Sequence, residues 1–297
     1  MKKSWLTNLV ILVTFLSLNS AFAGITPPSV PGNSANPKCN TSSNASNTAK
    51  EAVTRNSLKE CQKGDGLTEA TAGSSAWQIK RDFPLSGNGK YWIKNAAVNG
   101  GAPFQIYADM TTDFGGWTLV VANSVNKWSY SETLLNNQNN APSDPADLTA
   151  QGNKYSILSY ADFIKRSSSG FQYRMDAQEL GKCGGIWTAN SNYSFVSSSA
   201  SNTKVTLDQK WGYGDQTWFY GNDGIEARMP YLSQGNYGLL TTSNDPNNSW
   251  WGTIIQSIDW ESSVTPWIAW SAWGNSVGPT FPIEPCARPS IVWYWVR

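Results

Sequence analysis

The chain has 297 residues with a formal net charge of +1, a charged fraction of 14%, sixteen tryptophans and no histidine. Without a basic run it has no electrostatic footprint for nucleic acid or an anionic membrane surface. The missing histidine excludes Ser-His-Asp and Cys-His nucleophiles, HExxH zinc sites and imidazole general bases, so enzymatic readings must rest on carboxylates.

Lys2 and Lys3, an apolar run from Leu9 to Leu18 and the triplet Ala21, Phe22, Ala23 before Gly24 form a secretory signal peptide over residues 1–23. The apolar run is shorter than the about 20 residues that a spanning helix needs, and no later segment reaches that length, so no membrane span is expected. Gly24 and not a cysteine stands directly after the small-residue site, so the bacterial lipid-anchor pattern is not expected. The mature protein is therefore expected to be secreted, periplasmic or on the cell surface, and the short Lys-Lys signal points to a bacterial source.

Residues 25–48 are rich in Pro, Ser, Asn and Thr and read as a linker. A short helix follows: Thr48 and Glu51 have capping-box spacing, Ala49, Ala52, Val53 and Leu58 form a thin stripe, and Gly64 ends it near Lys63. Residues 24–74 are read as this linker and helical segment, through which copies of the chain could associate. The alanine-rich stripe is too thin for a strong coiled coil.

From about Trp77 the texture becomes short strands broken by Gly, Asn and Ser. "KYWIKN" (90–95) and "PFQIYAD" (103–109) flank Asn99 and Gly100, a hairpin signal, and "GWTLVVAN" adds a third strand. Further strands are expected at 171–176, 204–207, 267–273 and 290–296, with a helix at 159–166. The longest polar loops fall at 124–153 and 221–253.

Residues 89–120, "GKYWIKN" through "PFQIYADMTTDFGGWTLV", resemble the opening module of fibrinogen-like C-terminal domains, shared with ficolins, tachylectins and more distantly intelectins. Tyr107, Asp109, Met110, Thr112, Gly115, Gly116, Trp117, Thr118 and Leu119 match in type and spacing. "KYSILSYADFIKR" and the terminal "IVWYWVR" are similar to the family's middle helix and last strand. The resemblance implies an α+β fold over residues 75–297: a central, twisted, mainly antiparallel sheet with short helices and long irregular loops. Two positions depart from the pattern. Ala108 stands where the family has a cysteine, and Phe114 replaces the first glycine of a triplet. The physical reading of the stretch is architectural: Gly115 and Gly116 allow positive φ at a turn, and Trp117 begins a strand with its ring over the core.

The resemblance also implies a ligand region late in the chain beside a calcium loop. The nearest match is "TTSNDPNNSWWGTI", where Asp245, Asn247 and Asn248 offer oxygen ligands for calcium, joined by main-chain carbonyls or by Asp223, Glu226 or Glu261. An Asn-Asp-Pro-Asn turn without metal is the plainer alternative. Eight tryptophans fall between residues 250 and 295. Trp293 and Trp295 share one face of the last strand and read as core, whereas Trp267, Trp270 and Trp273 break strand period. Trp250, Trp251, Trp267 and Trp270 are the candidate ligand-binding residues, because exposed indole beside amides and carboxylates suits a sugar ring. Asp259 and Glu261 have a spacing that a glycosidase could use, but such spacing is common and the resemblance implies binding rather than hydrolysis. The reading is an adhesin or lectin-like recognition protein, not an enzyme, for carbohydrate or acetylated groups. The alternative is an assembly component of a bacterial surface appendage that docks protein through a tryptophan-rich face.

Cys39, Cys61, Cys183 and Cys286 include no CxxC pair and favour two disulfides in an exported chain. Three pairings exist; chain position favours Cys39 with Cys61 and Cys183 with Cys286, each closed loop stabilising by about 3–5 kcal/mol. Non-reducing peptide mapping separates the pairings, and a bond from Cys61 to Cys183 or Cys286 would overturn the division between N-terminal segment and domain.

Overall fold

The computed structural model describes residues 64–123, 133–134, 136, 141–147, 154–177, 179–196, 205–212, 228–232, 240–241, 273–274, 278–279 and 292–297. The signal segment, the linker and its helix, and most of residues 213–291 lie outside this set.

Helix α1, Ala76–Asp82, is the first α-helix of the described part, where the sequence suggests the start of strand texture. Ser75 caps it by accepting from the Gln78 N–H, Lys80 and Arg81 occupy its last turn, and Ala76 and Ile79 form its buried side. A seven-residue helix is marginal alone; burial of Ile79 and contact with the third strand hold it.

Strands β1 (Gly89–Ile93) and β2 (Phe104–Asp109) pair antiparallel, as the flanking residues of Asn99 and Gly100 suggest. The connection is longer than a two-residue turn: Asn99–Gly101 form one 3-10 turn in which all three residues have positive φ. Residues 66–73, which the sequence places in the N-terminal segment, lie along β1. The Trp92 N–H donates to Gly66 O, and the Gly73 N–H donates to Trp92 O. β3 (Trp117–Asn123) continues the sheet, and β4 (Lys154–Ser156) pairs with its far end. The expected helix at 159–166 is shorter, a 3-10 turn Leu158–Tyr160 leading into α2, Ala161–Ile164.

β5 (Phe171–Ala177) and β6 (Cys183–Ala189) form a second antiparallel pair, and β7 (Val205–Trp211) lies beside β6. Short pairs β8 (Tyr231–Leu232) with β9 (Leu240–Thr241), and β10 (Trp273–Gly274) with β11 (Gly278–Pro279), stand apart. β12, Val292–Val296, sits between β3 and β5 and is antiparallel to both. The main sheet runs β1, β2, β3, β12, β5, β6, β7, with β4 off that path. This is the mainly antiparallel α+β arrangement expected from the sequence. No helix among the described residues is long and apolar enough to cross a membrane.

The sheet has a core on each face. Every residue of β12 is buried, so its alternation is hidden in an apolar run that serves both faces. One face carries Tyr173, Trp187 and Tyr294 with Phe195 against them: the rings of Tyr173 and Trp187 stack at 5.4 Å, and Phe195 meets Tyr294 edge-on at 5.4 Å. Tyr173 lies opposite Trp187 and next to Val296, while Arg174 lies opposite Trp295 and projects to the other face.

The turn into β3 requires glycine for a steric reason. Gly115 has φ 76, and a Cβ there would lie 2.2 Å from Met110 O. Gly170 has a similar φ of 72 with nothing within 4 Å of its added Cβ. Gly170→Ala should cost about 1–2 kcal/mol, the conformational strain alone. Gly115→Ala should cost more than about 3 kcal/mol, because backbone must also move. Urea midpoints of the two variants check the ranking, and equal midpoints would refute it.

Candidate functional site

The described part concentrates its chemistry at one face of the sheet. Arg174 on β5 is 1% exposed. Its Nη1 donates to Asp109 Oδ2 at 2.8 Å and its Nε to Asp176 Oδ2 at 2.7 Å. Asp176 is two residues along the same strand and so on the same face; its other oxygen accepts from the Gly181 N–H at 2.9 Å. A buried guanidinium between two carboxylates is tolerable only because the pairing and hydrogen bonds offset its desolvation.

Tryptophans lie above and below these cations. Arg174 sits 4.5 Å from the centroid of a Trp295 ring and 5.6 Å from one of Trp117. Arg297 sits 4.1 Å from Trp117 and 5.8 Å from Trp77, and Arg166 lies 5.4 Å from Trp77. The order Arg166, Trp77, Arg297, Trp117, Arg174, Trp295 is a ladder of alternating cations and indoles running from the surface inward. Each desolvated step contributes on the order of 1–2 kcal/mol. Gly116 lets α1 approach: a Cβ there would meet Trp77 Cε3 at 3.0 Å.

The turn at 112–116 is tied to the same ladder. Arg297 Nη2 donates to Asp113 Oδ2 at 2.6 Å, and its Nη1 donates to Gly115 O at 3.0 Å and also to Asp113 O. Gln209 on β7 donates to Asp113 Oδ1 at 2.8 Å, and the Trp117 indole N–H donates to Thr112 O. These contacts hold Asp113 and Phe114 at positive φ, 45 and 67. Phe114 is 85% exposed. The turn is thus a built structural corner that presents one aromatic ring to solvent.

Burial pushes the Asp109 carboxyl up, but the Arg174 guanidinium and hydrogen bonds from Thr112 outweigh it and hold the group at about 2. Burial raises Asp176 against the opposing pull of Arg174 and the Gly181 N–H. Burial likewise pushes Tyr107 up to about 12, with the Asp109 charge adding to it. These carboxylates are committed to the fold, and sequence reasoning did not single out Arg174, Arg297, Asp113 or Asp176. The available signal was a charged residue inside a strand of buried apolar neighbours, as in "FQYRMDA", since such a charge requires a partner.

Of the residues the sequence marks as sites, Cys183 alone is described. It is buried at the start of β6 and is disulfide-bonded. Cys39, Cys61, Cys286, Asp245, Asn247, Asn248, Trp250, Trp251, Trp267 and Trp270 lie outside the described residues, as do Asp223, Glu226, Asp259 and Glu261. Among the described residues no group of three His, Cys, Asp or Glu is placed to hold a metal ion. Trp293 and Trp295, read as core, are 2% and 0% exposed, and the Trp293 indole N–H donates to Pro145 O at 2.8 Å.

No family model matches the chain, and no curated protein matches it. Among solved structures the chain is similar to the fibrinogen-like globe domain of human ANGPTL2, at 14% identity and TM-score 0.38 over 75% of this chain and 98% of that one. It is similar to the corresponding domain of human ANGPTL6 at 12% identity and TM-score 0.39, over 78% and 98% of the two chains. A lamprey fibrin D-dimer, complexed with the peptide Gly-His-Arg-Pro-amide, is similar at 9% identity and TM-score 0.38 over 84% of each chain.

The depressed Asp109 fixes the sign of an acid response. A carboxyl lowered by folding contributes stability that is present above its unfolded value near 4 and is lost as pH falls toward about 2. Wild type should therefore lose about 2 kcal/mol from this group between pH 4 and 2. Asp109→Asn should be less stable at pH 7 by about 3 kcal/mol, because Arg174 keeps only one carboxylate, and should show a shallower acid slope. Parallel slopes in denaturant titrations would disprove the assignment.

Proposed function

We propose that the chain is an exported recognition protein of the fibrinogen-like kind, secreted, periplasmic or on the cell surface, that binds carbohydrate or acetylated groups on cells or polymers. One observation supports the reading above others: among the described residues, Asp109 and Asp176 are paired with Arg174, and the half-buried Asp113 with Arg297, so that these charges hold the sheet together. A domain built this way serves as a rigid platform for a binding site carried on its loops. The oxygen-rich and tryptophan-rich stretch 245–273 has the residue types such a site uses.

In this proposal Asp245, with Asn247 and Asn248, holds a calcium ion through side-chain oxygens and main-chain carbonyls. Trp250 and Trp251, with Trp267 and Trp270, supply flat apolar walls for a sugar ring. A single shallow site of this kind binds near millimolar, about 4 kcal/mol, so retention on a surface needs several copies presented together. The part of the N-terminal segment before the residues that lie along β1, residues 24–63, is the part of the chain suited to gather them.

Purified mature protein on a glycan array, with and without chelator, tests the reading. Chelator should lower both melting temperature and retention, and Asp245→Ala should reproduce the loss without further sensitivity to chelator. Glycan binding by Asp245→Ala equal to that of wild type would remove the metal-linked site. An array without any retained glycan, beside capture of a surface-appendage subunit, would move the assignment to the assembly role.

A further inference from the structure

Lys165, at the end of α2, is a cation drawn into the protein. Its side chain is 6% exposed, and its Nζ lies 4.5 Å from the centroid of the Phe171 ring. The Nζ donates to Asn192 Oδ1 at 3.1 Å and to Tyr193 O at 2.8 Å, with Asp162 Oδ1 at 3.7 Å. Asp162 is itself fixed: Oδ1 accepts from the Phe195 N–H at 2.9 Å and Oδ2 from the Ser194 hydroxyl at 2.6 Å. An amine, a carboxamide and a carboxylate are thus brought together by α2 and by the segment that follows β6.

We propose that Lys165 and Asn192 become joined by an intramolecular amide bond, with Asp162 relaying the protons. Burial draws the lysine toward its neutral form, against the opposing charge of Asp162, and a neutral amine is the nucleophile the step needs. The ammonium first gives one proton to the Asp162 carboxylate. The free Nζ pair then forms a bond to Asn192 Cγ while the carbonyl accepts the electrons. A second Nζ proton moves to Nδ2 with the aid of Asp162, the Cγ–Nδ2 bond breaks, and ammonia leaves. Amine plus primary amide becomes secondary amide plus ammonia, with no change of oxidation state and no co-reactant.

The geometry supplies one condition such a reaction requires. Nζ is hydrogen-bonded to Asn192 Oδ1 at 3.1 Å, so amine and carboxamide are a held pair that needs no encounter. The site also has a structural use. Phe171 pairs with Ala189 at the open end of the β5–β6 hairpin, and residues 165 and 192 lie just beyond that pair. A covalent link there closes the hairpin into a ring and constrains the unfolded chain as a disulfide would.

Mass spectrometry of the reduced, full-length product decides the matter without a ligand. Wild type should be lighter than its sequence by the mass of one ammonia. Its tryptic digest should lack cleavage after Lys165 and contain one branched peptide carrying Lys165 and Asn192. Lys165→Arg keeps the cation and should show the full mass. Asn192→Asp should give the same branched peptide with loss of water instead, and Asp162→Asn should accumulate the linear form. A wild-type chain at full mass, or an ammonia loss that maps to linear peptides elsewhere, overturns the bond and leaves Lys165 as a hydrogen-bonded ammonium. Linkage in Asp162→Asn at the wild-type extent overturns the role of Asp162.

Discussion

The buried guanidinium of Arg174 is the constraint around which the described domain is arranged. It needs charge on both sides and polarizable surface above and below, and it receives them from different parts of the chain: Asp109 from β2, Asp176 from β5, Trp117 from β3 and Trp295 from β12. An aliphatic side chain would fill the space at less desolvation cost. What the charge adds is directional: each partner must arrive in one register, so the order of strands across the sheet and the placement of the turn at 112–116 become mutually dependent. Arg297 repeats the device one rung outward, binding Asp113 and covering Trp117.

Several local features that look independent follow from that ladder. Gly116 admits the Trp77 ring, and α1 therefore lies against the start of β3. Asp113 and Phe114 adopt positive φ because Arg297 and Gln209 hold the turn from two sides, which is how a non-glycine residue persists in a region that costs about 1–3 kcal/mol. The opposite face is built mainly from rings, with Lys165 over Phe171 at its edge. There Tyr173, Trp187, Tyr294 and Phe195 pack by stacking and edge contacts, and the Tyr294 hydroxyl donates to Pro230 O at 3.2 Å.

Much of the sheet was legible in the sequence. β1, β2, β3, β5, β7 and β12 announce themselves by β-branched and aromatic residues between polar turns, and Trp117, Trp293 and Trp295 are buried as their positions imply. β6 was not legible because it begins Cys183, Gly184, Gly185, a glycine pair that reads as a loop. In the structure an added Cβ at Gly184 would meet Met175 O at 2.0 Å, and at Gly185 the Gln209 carbonyl at 2.6 Å, so small residues mark close strand approach there. Helix α1 was hidden by its length and by Trp77, which serves the ladder. The chemistry of Arg174 and Arg297 escaped because ion pairs join residues far apart in the chain, and no local spacing reports them. The proposed site residues from Asp245 to Trp270 rest on residue types and resemblance, since they lie outside the described set.

The position of β12 sets an order of events. Residues 292–296 fill the gap between β3 and β5, two strands that otherwise share no hydrogen bonds in the main sheet. Until that segment exists and reaches the gap, β1, β2 and β3 form one fragment and β5, β6 and β7 another, each with an open edge and an uncovered aromatic face. The contacts that join them span well over a hundred residues, a topology that folds slowly, on the order of milliseconds to seconds. A nascent chain therefore cannot complete the main sheet until residues 292–296 have been made. Whatever keeps those edges from pairing with other chains during that interval governs the yield of native protein as much as the strength of any contact in the finished sheet.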